Sequence, residues 1–463
     1  MRTLVLETAA KTGETITLSG WIVARRDHGK LIFLDLRDRS GVAQIVIDPK
    51  SSAYETAKTV RPEWVLEIKG TVKDRPADMI NPDLPTGRVE VKAEAIAVLS
   101  SAETPSFDPR QDTAAVNEET RLKYRYLDLR SERMQRNLRL RSDFVQKCRE
   151  FLFRRDFLEI ETPLLTKSTP EGSRDFLVPS RQYPGKFYAL PQSPQQYKQL
   201  LMVSGFERYF QIARALRDED LRADRGFEHT QIDIEMSFVE REDVIMEIEI
   251  MMTQVVEAMG YKIKEKPFPR FSYREAVERF GADKFDLRNE SEKAAGILAY
   301  AWVVDFPFFE KADNGSWTFT HNPFSMPKPE FLADHLAGKN IPEILTTQYD
   351  LVCNGFESGG GSIRAHRPEI LEATYRVMGY SPQEIENSVG HILAAFRYGA
   401  PPHGGIALGV ERNLMNLTGE SYLREVQAFP MTGAGRTAVM DAPTPATPAQ
   451  LQELGLFIKS RHQ

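Results

Sequence analysis

The first hundred residues alternate apolar and polar positions with the period of two that is typical of half-buried β-strands. Five such runs are separated by turn-rich segments, at residues 16–26, 30–38, 41–48, 63–73 and 87–99. A short helix is expected at 51–59, between the third and fourth runs. Five short strands in about 100 residues predict a small closed barrel of the OB-fold type. We assign it to residues 1–105.

After the predicted barrel, the alternation of apolar and polar residues gives way to a polar segment and then to a mixture of helices and strands. Residues 100–120 are polar and contain prolines, so we assign residues 106–130 to a hinge. A helix is predicted to start after Ser131, a good N-cap, and another to cover about 241–259. Beyond Pro163, strands and helices are interspersed to the C-terminus, which predicts an α+β domain over residues 131–463.

Composition narrows the class of protein. A chain of 463 residues is too long for one ordinary core, and 41% apolar with 27% charged residues is typical of a globular, soluble protein. Its apolar runs are too short to span a membrane, and the N-terminus, MRTLVLETAAKTGE, lacks the features of a secretory or transit signal. Cys148 and Cys353 are too few for a disulfide framework or a cysteine-based zinc site. We therefore expect a cytoplasmic protein.

Charge bears on whether the chain binds nucleic acid. The net charge is −6, from 60 basic and 66 acidic residues, which argues weakly against such binding. Phosphate contacts need a local positive patch more than a positive total. One patch is evident: Arg121, Lys123, Arg125, Arg130, Arg133, Arg136, Arg139 and Arg141. The alternative is that these side chains cover a solvated helix face.

A predicted antiparallel hairpin over residues 214–238 concentrates charged side chains. Arg217 and Glu219 are two residues apart and would face the same way on a strand. On the second strand one face is apolar and the other polar. The polar face consists of Gln231, Asp233 and Glu235. A sheet face of this kind indicates a charged ligand.

A second predicted hairpin, residues 349–364, brings two carboxylates together. Asn354-Gly355 is a strong two-residue turn signal, which sets Val352 opposite Glu357. Asp350 shares the face of Val352, so the carboxylates of Asp350 and Glu357 converge. Such a pair predicts a Mg²⁺ site. The alternative is an edge hairpin with solvated acids.

The barrel carries candidate RNA-binding residues on its outer face. Phe33 alternates with apolar strand neighbours, so its ring is predicted to face solvent, where it offers a base-stacking platform. Gln44 on the neighbouring strand offers a contact to a base edge, and basic residues offer contacts to phosphate. These basic residues are Arg25, Arg26, Lys73 and Arg75. The alternative is a barrel-packing Phe beside ordinary surface charge.

Several motifs follow one another in a recognisable order. RRDFLEIETPLLTKSTPEGSRDFLV (154–178), RALRDEDLRADRGFEHTQIDIEMSF (214–238) and GGIALGVERNLMNLTG (404–419) resemble motifs 1, 2 and 3 of the class II aminoacyl-tRNA synthetases. The barrel segment RRDHGKLIFLDLRDRSG, the segment QSPQQYKQ and the tail AFPMT…MDAPTP resemble bacterial-type aspartyl-tRNA synthetases. The resemblance covers nearly the whole chain.

The resemblance implies both the fold and the reaction. It implies an N-terminal OB-fold that binds the anticodon, joined by a short hinge to a catalytic domain built on an antiparallel sheet flanked by helices. Such an enzyme activates L-aspartate with ATP and Mg²⁺, without zinc, and transfers it from aspartyl-adenylate to the 3′ end of tRNA(Asp). It also implies a homodimer through motif 1 around Pro163, and no membrane partner.

The resemblance further assigns roles to residues. The expected catalytic residues are Arg217, Glu219 and Arg412. Aspartate is expected at Glu171, Ser193, Gln195, Lys198, Asp233 and Arg364. ATP is expected at Arg217, Glu219, His229, Gln231, Glu357 and Arg412, and Mg²⁺ at Asp350 and Glu357. The anticodon is expected at Arg26, His28, Phe33, Gln44, Lys73, Arg75 and Glu90.

The chain departs from the family pattern in several places. His229 stands where the adenine-stacking residue is usually Phe, and it adds a titratable group beside ATP. Asn322 replaces the second of two paired histidines, and the large extra domain of bacterial members is missing near residues 287–297. His28 and Asp78 stand where members strictly specific for tRNA(Asp) often have Leu and Lys. They favour charging of tRNA(Asn) as well, with neutral drift as the alternative.

Two other functions are open at this point. An asparaginyl-tRNA synthetase would share the motifs, but Lys198 and Arg364 would not be expected around an amide, which would leave two cations unpaired. A non-catalytic RNA-binding paralogue would keep the barrel but lose Arg217, Glu357 or Arg412. All three of these residues are present.

Overall fold

The computed structural model describes residues 2–169 and 172–459. The chain divides into two compact units, residues 1–131 and residues 132–463. Within the described residues, no helix is long and apolar enough to cross a membrane.

The first unit contains a closed barrel of five strands. They are β1 (Thr15–His28), β2 (Leu31–Arg37), β3 (Val42–Ile47), β4 (Val65–Asp74) and β5 (Val89–Ser100), with helix α1 (Tyr54–Thr59) between β3 and β4. The strands are joined in the order β1-β2-β3-β5-β4. Inward-facing side chains from all five strands form one core. Burial of each large aliphatic side chain there stabilises the barrel by about 1.5–3 kcal/mol.

The alternation predicted for β2 is confirmed. Ile32, Leu34 and Leu36 are buried, at 3% exposure or less. Phe33 lies on the other face and is half-buried. A period of two thus separates the barrel core from a polar outer face that remains open to a ligand.

Two short helices occupy the segment predicted to be an irregular hinge, α2 (Glu118–Lys123) and α3 (Arg125–Asp128). Arg121 and Arg125 are 5% and 1% exposed, and both form ion pairs with the buried Asp128. These two arginines therefore stabilise the fold and do not belong to an open basic surface.

The second unit alternates many strands with helices. Its strands are β6 (Leu158–Glu159), β7 (Leu177–Pro179), β8 (Phe187–Ala189), β9 (Arg208–Leu216), β10 (Glu228–Ser237), β11 (Arg270–Ser272), β12 (Tyr300–Val304), β13 (Phe309–Lys311), β14 (Trp317–Phe319), β15 (Tyr349–Cys353), β16 (Phe356–Ile363) and β17 (His403–Gly409). Its helices are α4 (Glu132–Arg154), α5 (Gln195–Val203), α6 (Arg241–Ala258), α7 (Tyr273–Phe280), α8 (Glu290–Ala294), α9 (Leu332–Ala337), α10 (Pro368–Val377), α11 (Pro382–Phe396), α12 (Val410–Thr418) and α13 (Pro448–Leu454).

Eight of these strands form the central sheet, in the order β11-β12-β15-β16-β17-β10-β9-β6. The six inner strands pair antiparallel, whereas the edge strands β11 and β6 run parallel to their neighbours. The sheet expected to be antiparallel is therefore antiparallel at its centre and mixed at its edges. Strand β10 lies between β9 and β17, so both of its edges are hydrogen-bonded.

The apolar side of this sheet forms the main core. Ile232, Ile234 and Met236 of β10 are buried there, together with side chains of α4, α6 and α12. Cys148 and Cys353 belong to the same core as free thiols. Because side chains alternate along a strand, the polar residues of β10 point to the opposite side of the sheet.

Other arginines of the predicted basic patch also have partners. Arg133 Nη1 lies 3.0 Å from Glu420 Oε1, and Arg141 Nη2 lies 2.9 Å from Glu411 Oε1. Their carboxylate partners are distant in sequence, so the pairing was invisible to a count of local charge. Much of the patch is therefore internal ion pairing.

Candidate active site

A cavity of about 740 Å³ opens on the polar side of the sheet of the second unit. It is lined by most of the residues predicted to bind aspartate or ATP: Ser193, Gln195, Lys198, Arg217, Glu219, His229, Gln231, Asp233, Glu357, Arg364 and Arg412. Glu171, also predicted to bind aspartate, lies outside the described residues. The fold thus gathers side chains from segments that are far apart in the chain.

Four buried charged side chains form an ion-pair network at this cavity, and three of them, Lys198, Asp233 and Arg364, line it. Lys198 Nζ of α5 lies 2.6 Å from Asp233 Oδ1 and 3.2 Å from Glu235 Oε2. Arg364, just after β16, donates from Nε and Nη2 to the two oxygens of Glu235, over 2.9 and 3.0 Å. The expectation that an uncharged ligand would leave two cations unpaired was therefore wrong, because the protein itself pairs both.

Glu235 is the network residue to which the sequence assigned no role. Burial alone would raise the pKa of its carboxyl, but Arg364 and Lys198 outweigh burial and hold this pKa at about 2. The pKa of Asp233 is raised, since burial outweighs the opposing effect of Lys198. The alternation of polar residues along β10 was the available signal, and it placed Glu235 on the correct face.

The network retains unused hydrogen-bonding groups. Lys198 has three N–H donors and uses two on Asp233 and Glu235. Arg364 has five, of which three go to Glu235 and to Gly405 O, and one to Ser362 Oγ. Within the described residues, Asp233 Oδ2 and Gln231 Oε1 are buried without a hydrogen-bond partner. The site therefore offers one N–H from each cation and at least two acceptors.

Gly405 on β17 makes room for this network. It pairs with Glu235 across the sheet. A Cβ at this position would lie 2.3 Å from Glu235 Oε2 and 2.0 Å from Ile234 O, distances that no side chain tolerates. The glycine spacing of residues 404–409 thus has a local cause, the close approach of a neighbouring carboxylate.

Arg217 and Glu219 reach the cavity in a different way from the one predicted. Strand β9 ends at Leu216, so neither residue lies on the strand, and the shared-face argument was wrong for this pair. Arg217 N donates to Phe227 O over 2.8 Å and prolongs the pairing of the hairpin. Glu219 lies in the connecting loop, where it accepts a hydrogen bond from Ser173 Oγ.

The segment QSPQQYKQ predicts a helix with Ser193 as its N-cap and Pro194 at its first position. In the structure Pro194, and not Ser193, occupies the N-cap position of α5. Ser193 Oγ still accepts a hydrogen bond from Gln195 N, over 3.2 Å. Gln195 and Lys198 face the cavity together, as their spacing of three predicted.

His229 is a neutral ring at physiological pH. Burial lowers its pKa, and the nearby cations Arg217 and Arg412 lower it further, to about 3. Arg412 itself pairs with Asp224 over 3.1 Å and with Glu357 Oε2 over 3.4 Å. The sequence predicts a titratable group at His229, but with this pKa the ring stays uncharged at neutral pH and offers a flat surface.

The predicted carboxylate hairpin is confirmed in its register. Asn354 and Gly355 both have positive φ, and Val352 pairs with Glu357. A Cβ at Gly360 would lie 2.9 Å from Asp350 Oδ1 and 3.3 Å from Glu357 Oε1, so both carboxylates border the space above this glycine. Carboxylate oxygens are the donors that a hard cation such as Mg²⁺ prefers, although Asp350 Oδ1 already accepts from Gln348 Nε2 over 2.7 Å.

Lys284 and His321 are cavity residues that sequence reasoning missed or left unassigned. Lys284 Nζ lies 3.1 Å from Glu357 Oε2, and His321 Nε2 lies 3.3 Å from Asp350 Oδ2. Burial would raise the pKa of Glu357, but Arg412 and Lys284 hold it at about 2. No local sequence pattern predicted a role for Lys284, because its partner Glu357 is on β16, far along the chain. Asn322 Oδ1 accepts from Phe324 N over 3.0 Å and so shapes its own turn.

On the first unit, the outer face of the barrel collects the other predicted residues. Arg26 pairs with Phe33 across the strands and its Nη2 lies 2.6 Å from Asp35 Oδ1. Gln44 Nε2 donates to Glu90 Oε2 over 2.9 Å. His28 and Lys73 are exposed.

Arg75 is the exception among the predicted barrel residues. It is 8% exposed, and its Nε donates to Val89 O over 3.0 Å. Its charge lies near Glu90 and Asp35, and burial lowers its pKa. The phosphate contact predicted for Arg75 is therefore not favoured by its position.

Comparison with known proteins identifies both units. The family model described as tRNA synthetases class II (D, K and N) matches residues 117–433. The model described as an OB-fold nucleic acid binding domain matches residues 16–99. The fold predicted from the sequence, an OB-fold followed by an α+β class II domain, is confirmed.

Individual relatives cover nearly the whole chain. The aspartate–tRNA(Asp/Asn) ligase of Rubrobacter xylanophilus is 41% identical, over 97% of this chain and 95% of its own. The aspartate–tRNA ligase of Bacillus licheniformis is 40% identical, over 97% of each chain. The first alignment has 576 positions against a chain of 463 residues, so that relative contains residues this chain lacks.

The fold also matches solved structures. A putative aspartyl-tRNA synthetase from Leishmania major is 21% identical, with a TM-score of 0.75 over 93% of this chain and 94% of its own. At that identity the likeness establishes the fold alone.

The low pKa of Glu235 predicts a defined pH dependence of stability. A carboxyl whose pKa falls from about 4.3 in the unfolded chain to about 2 in the folded one stabilises the fold above about pH 5, and this stabilisation is lost as pH falls towards 2. We expect Glu235→Gln to lower the free energy of unfolding by about 3 kcal/mol near pH 6, and the deficit to shrink towards pH 2. Urea unfolding of both proteins from pH 7 to pH 2 measures this difference in the free energy of unfolding.

The exposed Glu343→Gln is the matched control and is expected to change stability little at any pH. A deficit of Glu235→Gln that stays constant from pH 6 to 2 would contradict the ion-pair account.

Proposed function

Because the chain belongs to the class II tRNA synthetases, in the family of aspartate–tRNA ligases, we propose that it joins L-aspartate to tRNA(Asp) with ATP. In the first step the α-carboxylate of aspartate attacks the α-phosphorus of ATP, and pyrophosphate leaves. In the second step a ribose hydroxyl at the 3′ end of the tRNA attacks the carbonyl of aspartyl-adenylate, and AMP leaves. The observation that carries the proposal is the buried ion-pair network.

Aspartate is selected by the unused donors of this network. The side-chain carboxylate of aspartate has two oxygens, and Lys198 and Arg364 each have one N–H to spare. An asparagine side chain would direct its NH₂ at one of these donors, which leaves two donors facing each other in a buried site. The α-ammonium of aspartate is bound by acceptors, for which Asp233 Oδ2 is available. Ser193 and Gln195 complete that end of the site.

ATP occupies the part of the cavity lined by Arg217, His229, Gln231 and Arg412. Arg217 neutralises the charge that develops on the α-phosphate, and Arg412 offers a planar donor fork to the γ-phosphate. The neutral ring of His229 stacks on adenine. Catalysis then rests on positioning and electrostatic stabilisation, without a covalent enzyme intermediate.

Asp350 and Glu357 would hold Mg²⁺, which supplies positive charge to the phosphates of ATP when bound. Their fit rests on the convergence of both carboxylates on Gly360, which has no side chain to separate them. Lys284 and Arg412 already neutralise Glu357 in the protein. These side chains keep Glu357 ionised and oriented.

The barrel binds the anticodon in this proposal. Phe33 provides a stacking face, and the hydrogen-bonded Gln44 and Glu90 provide groups that read base edges. The relative from R. xylanophilus is named for both tRNA(Asp) and tRNA(Asn). His28 is exposed at the end of β1, in a position to contact RNA, and we propose that this chain charges both tRNAs in the cytoplasm.

We propose that the extra domain that bacterial members carry is missing near residues 287–297. The short helix α8 closes this stretch, with Asn289 Oδ1 accepting from Glu292 N over 2.9 Å. None of the predicted site residues lies in this stretch, so the proposed chemistry does not require the domain.

A homodimer through motif 1 is proposed as well. β6 is an edge strand of the sheet, and the residues around it expose apolar side chains. Leu158, Leu164 and Leu165 are 48–53% exposed, and Pro163 is exposed beside them. Exposed apolar residues next to a free sheet edge favour burial against a second copy.

The proposed function is tested by aminoacylation. We expect aspartate-dependent exchange of pyrophosphate into ATP, abolished by EDTA and restored by Mg²⁺, and charging of both tRNA(Asp) and tRNA(Asn) transcripts. Lys198→Met should reduce aspartate-dependent exchange by at least about 100-fold, since it removes a donor to the side-chain carboxylate. The exposed Lys339→Met is the control.

The outcomes separate the alternatives. Exchange with asparagine and not with aspartate would establish the asparagine enzyme. The absence of exchange with either amino acid would support a non-catalytic paralogue. Charging of tRNA(Asp) alone would remove the proposed relaxed specificity and leave the aspartate assignment intact.

The barrel surface gives a separate prediction. Phe33→Ala should raise KM for tRNA by about 5- to 100-fold, because stacking on one base contributes about 1–3 kcal/mol. Aspartate-dependent pyrophosphate exchange should not change, since it requires no tRNA. Leu99→Ala, which removes an apolar side chain that is 57% exposed on β5, is the control. An unchanged KM for tRNA would show that Phe33 is only a packing residue.

The dimer proposal predicts that Leu164→Glu yields monomers in sedimentation experiments at micromolar concentration, because a carboxylate would be buried at the interface. Tyr398→Glu, at a side chain that is 90% exposed on another surface, should leave the assembly unchanged. A wild-type chain that sediments as a monomer would refute the proposal.

A further inference from the structure

A chain of buried hydrogen bonds runs from the backbone to the edge of the cavity. His403 Nδ1 lies 2.7 Å from Pro401 O. His403 Nε2 lies 3.2 Å from Gln199 Nε2, and Gln195 Nε2 donates to Gln199 Oε1 over 3.1 Å. Gln199 and His403 have no exposed surface, and they are not among the residues that line the cavity. Gln195 does line it.

The hydrogen bond from His403 to Pro401 O fixes the direction of the hydrogen bonds between His403 and Gln199 and between Gln199 and Gln195. A carbonyl oxygen only accepts, so Nδ1 of His403 carries the hydrogen. His403 is neutral at pH 7, because burial lowers its pKa to about 4, although Glu235 opposes this shift. In a neutral ring the other nitrogen, Nε2, is an acceptor. The Gln199 atom that faces it must therefore be the NH₂ group.

The orientation of Gln199 in turn fixes that of Gln195. Since the NH₂ of Gln199 points to His403, its Oε1 points to Gln195. The Gln195 atom that faces this oxygen must again be the NH₂ group. The group of Gln195 that is turned away from Gln199 is then its carbonyl oxygen, Oε1. The opposite orientation would place two oxygens or two donors in contact in a buried site, which costs about 1–3 kcal/mol.

We propose that Gln199 and His403 are positioning residues that hold Gln195 with its carbonyl oxygen towards the α-ammonium of aspartate. This inference rests on the proposed function, in which Gln195 binds the amino group. It adds two residues that touch no substrate and that determine whether Gln195 presents an acceptor or a donor. Lys198 plays the same part for Asp233, since it occupies Oδ1 and leaves Oδ2 for the ligand.

Helix α5 supplies both Gln199, which orients Gln195, and Lys198, which orients Asp233. Gln195, Lys198 and Gln199 occupy positions i, i+3 and i+4 of α5 and so lie on one face. All three are buried, at 9%, 2% and 0% exposure. A buried polar stripe of this kind is stable only when each member has partners, and here the partners also set the orientation of the groups that face the ligand.

The test compares aspartate with succinate, which is aspartate without the α-amino group. Gln199→Leu removes the partner that orients Gln195. We expect the Kd for aspartate to rise by about 10-fold, the size of one hydrogen bond to a charged group, while the Kd for succinate and the KM for ATP stay within 2-fold of wild type. Isothermal titration with each ligand and pyrophosphate exchange provide these values.

A double-mutant cycle shows whether Gln199 acts through Gln195. Gln195→Ala should lose the same preference for aspartate over succinate, and the double variant should be no worse than Gln195→Ala alone. Gln199→Met is the replacement if the leucine variant does not fold, as judged by thermal unfolding.

The inference and the proposed function fail in different ways. Equal losses for aspartate and succinate in Gln199→Leu, or additive losses in the double variant, would overturn the positioning role while Gln195 keeps its own. If Gln195→Ala leaves the preference for aspartate over succinate unchanged, the assignment of Gln195 to the α-ammonium is wrong, and the inference falls with it.

Discussion

The structure depends most on the pairing of Lys198 and Arg364 with Asp233 and Glu235. Each of these residues is at most 2% exposed, and an isolated charge at such depth would cost several kcal/mol. The pairing constrains three elements at once. β10 must alternate polar and apolar residues, α5 must present its lysine to β10, and β17 must carry a glycine opposite Glu235 because a Cβ there would strike the carboxylate.

A neutral network changes how selectivity for aspartate is understood. Two unpaired cations would attract any anion, whereas two paired cations with one spare N–H each demand acceptors at particular places. Discrimination between a carboxylate and an amide then comes from donor geometry in a buried site, where an unmatched donor is costly. Buried partners that fix the orientation of Lys198 and Gln195 serve the same end, since preorganised groups need no rearrangement when the ligand binds.

The arginines of residues 121–141 illustrate how charge behaves elsewhere in this chain. They appear as a basic stretch in the sequence, yet Arg121, Arg125, Arg133 and Arg141 pair with carboxylates within their own units. Such pairs contribute to the fold and leave little positive surface. On the barrel, by contrast, the alternation around Phe33 leaves a polar face with an aromatic ring, and this is the surface that a nucleic acid can use.

The sequence by itself determined the elements and much of the site. A period of two predicted the strands of the barrel and the polar face of β10, Asn354-Gly355 set the register of the carboxylate hairpin, and motif order identified the family. These signals are local, because backbone geometry fixes which neighbours along the chain share a face. Even so, the strand assignment of Arg217 and Glu219 was wrong, since the end of a strand depends on its partner.

Only the tertiary structure decided which charges are paired and which polar atoms are left for a ligand. Glu235 had no assigned role until Arg364 was found against it, and Lys284 none until it was found beside Glu357. The hydrogen-bond chain from His403 to Gln195 joins a strand to a helix more than half a domain away in sequence. Ion pairs and hydrogen bonds depend on distances of a few ångströms between such residues, and no pattern along a single segment contains those distances.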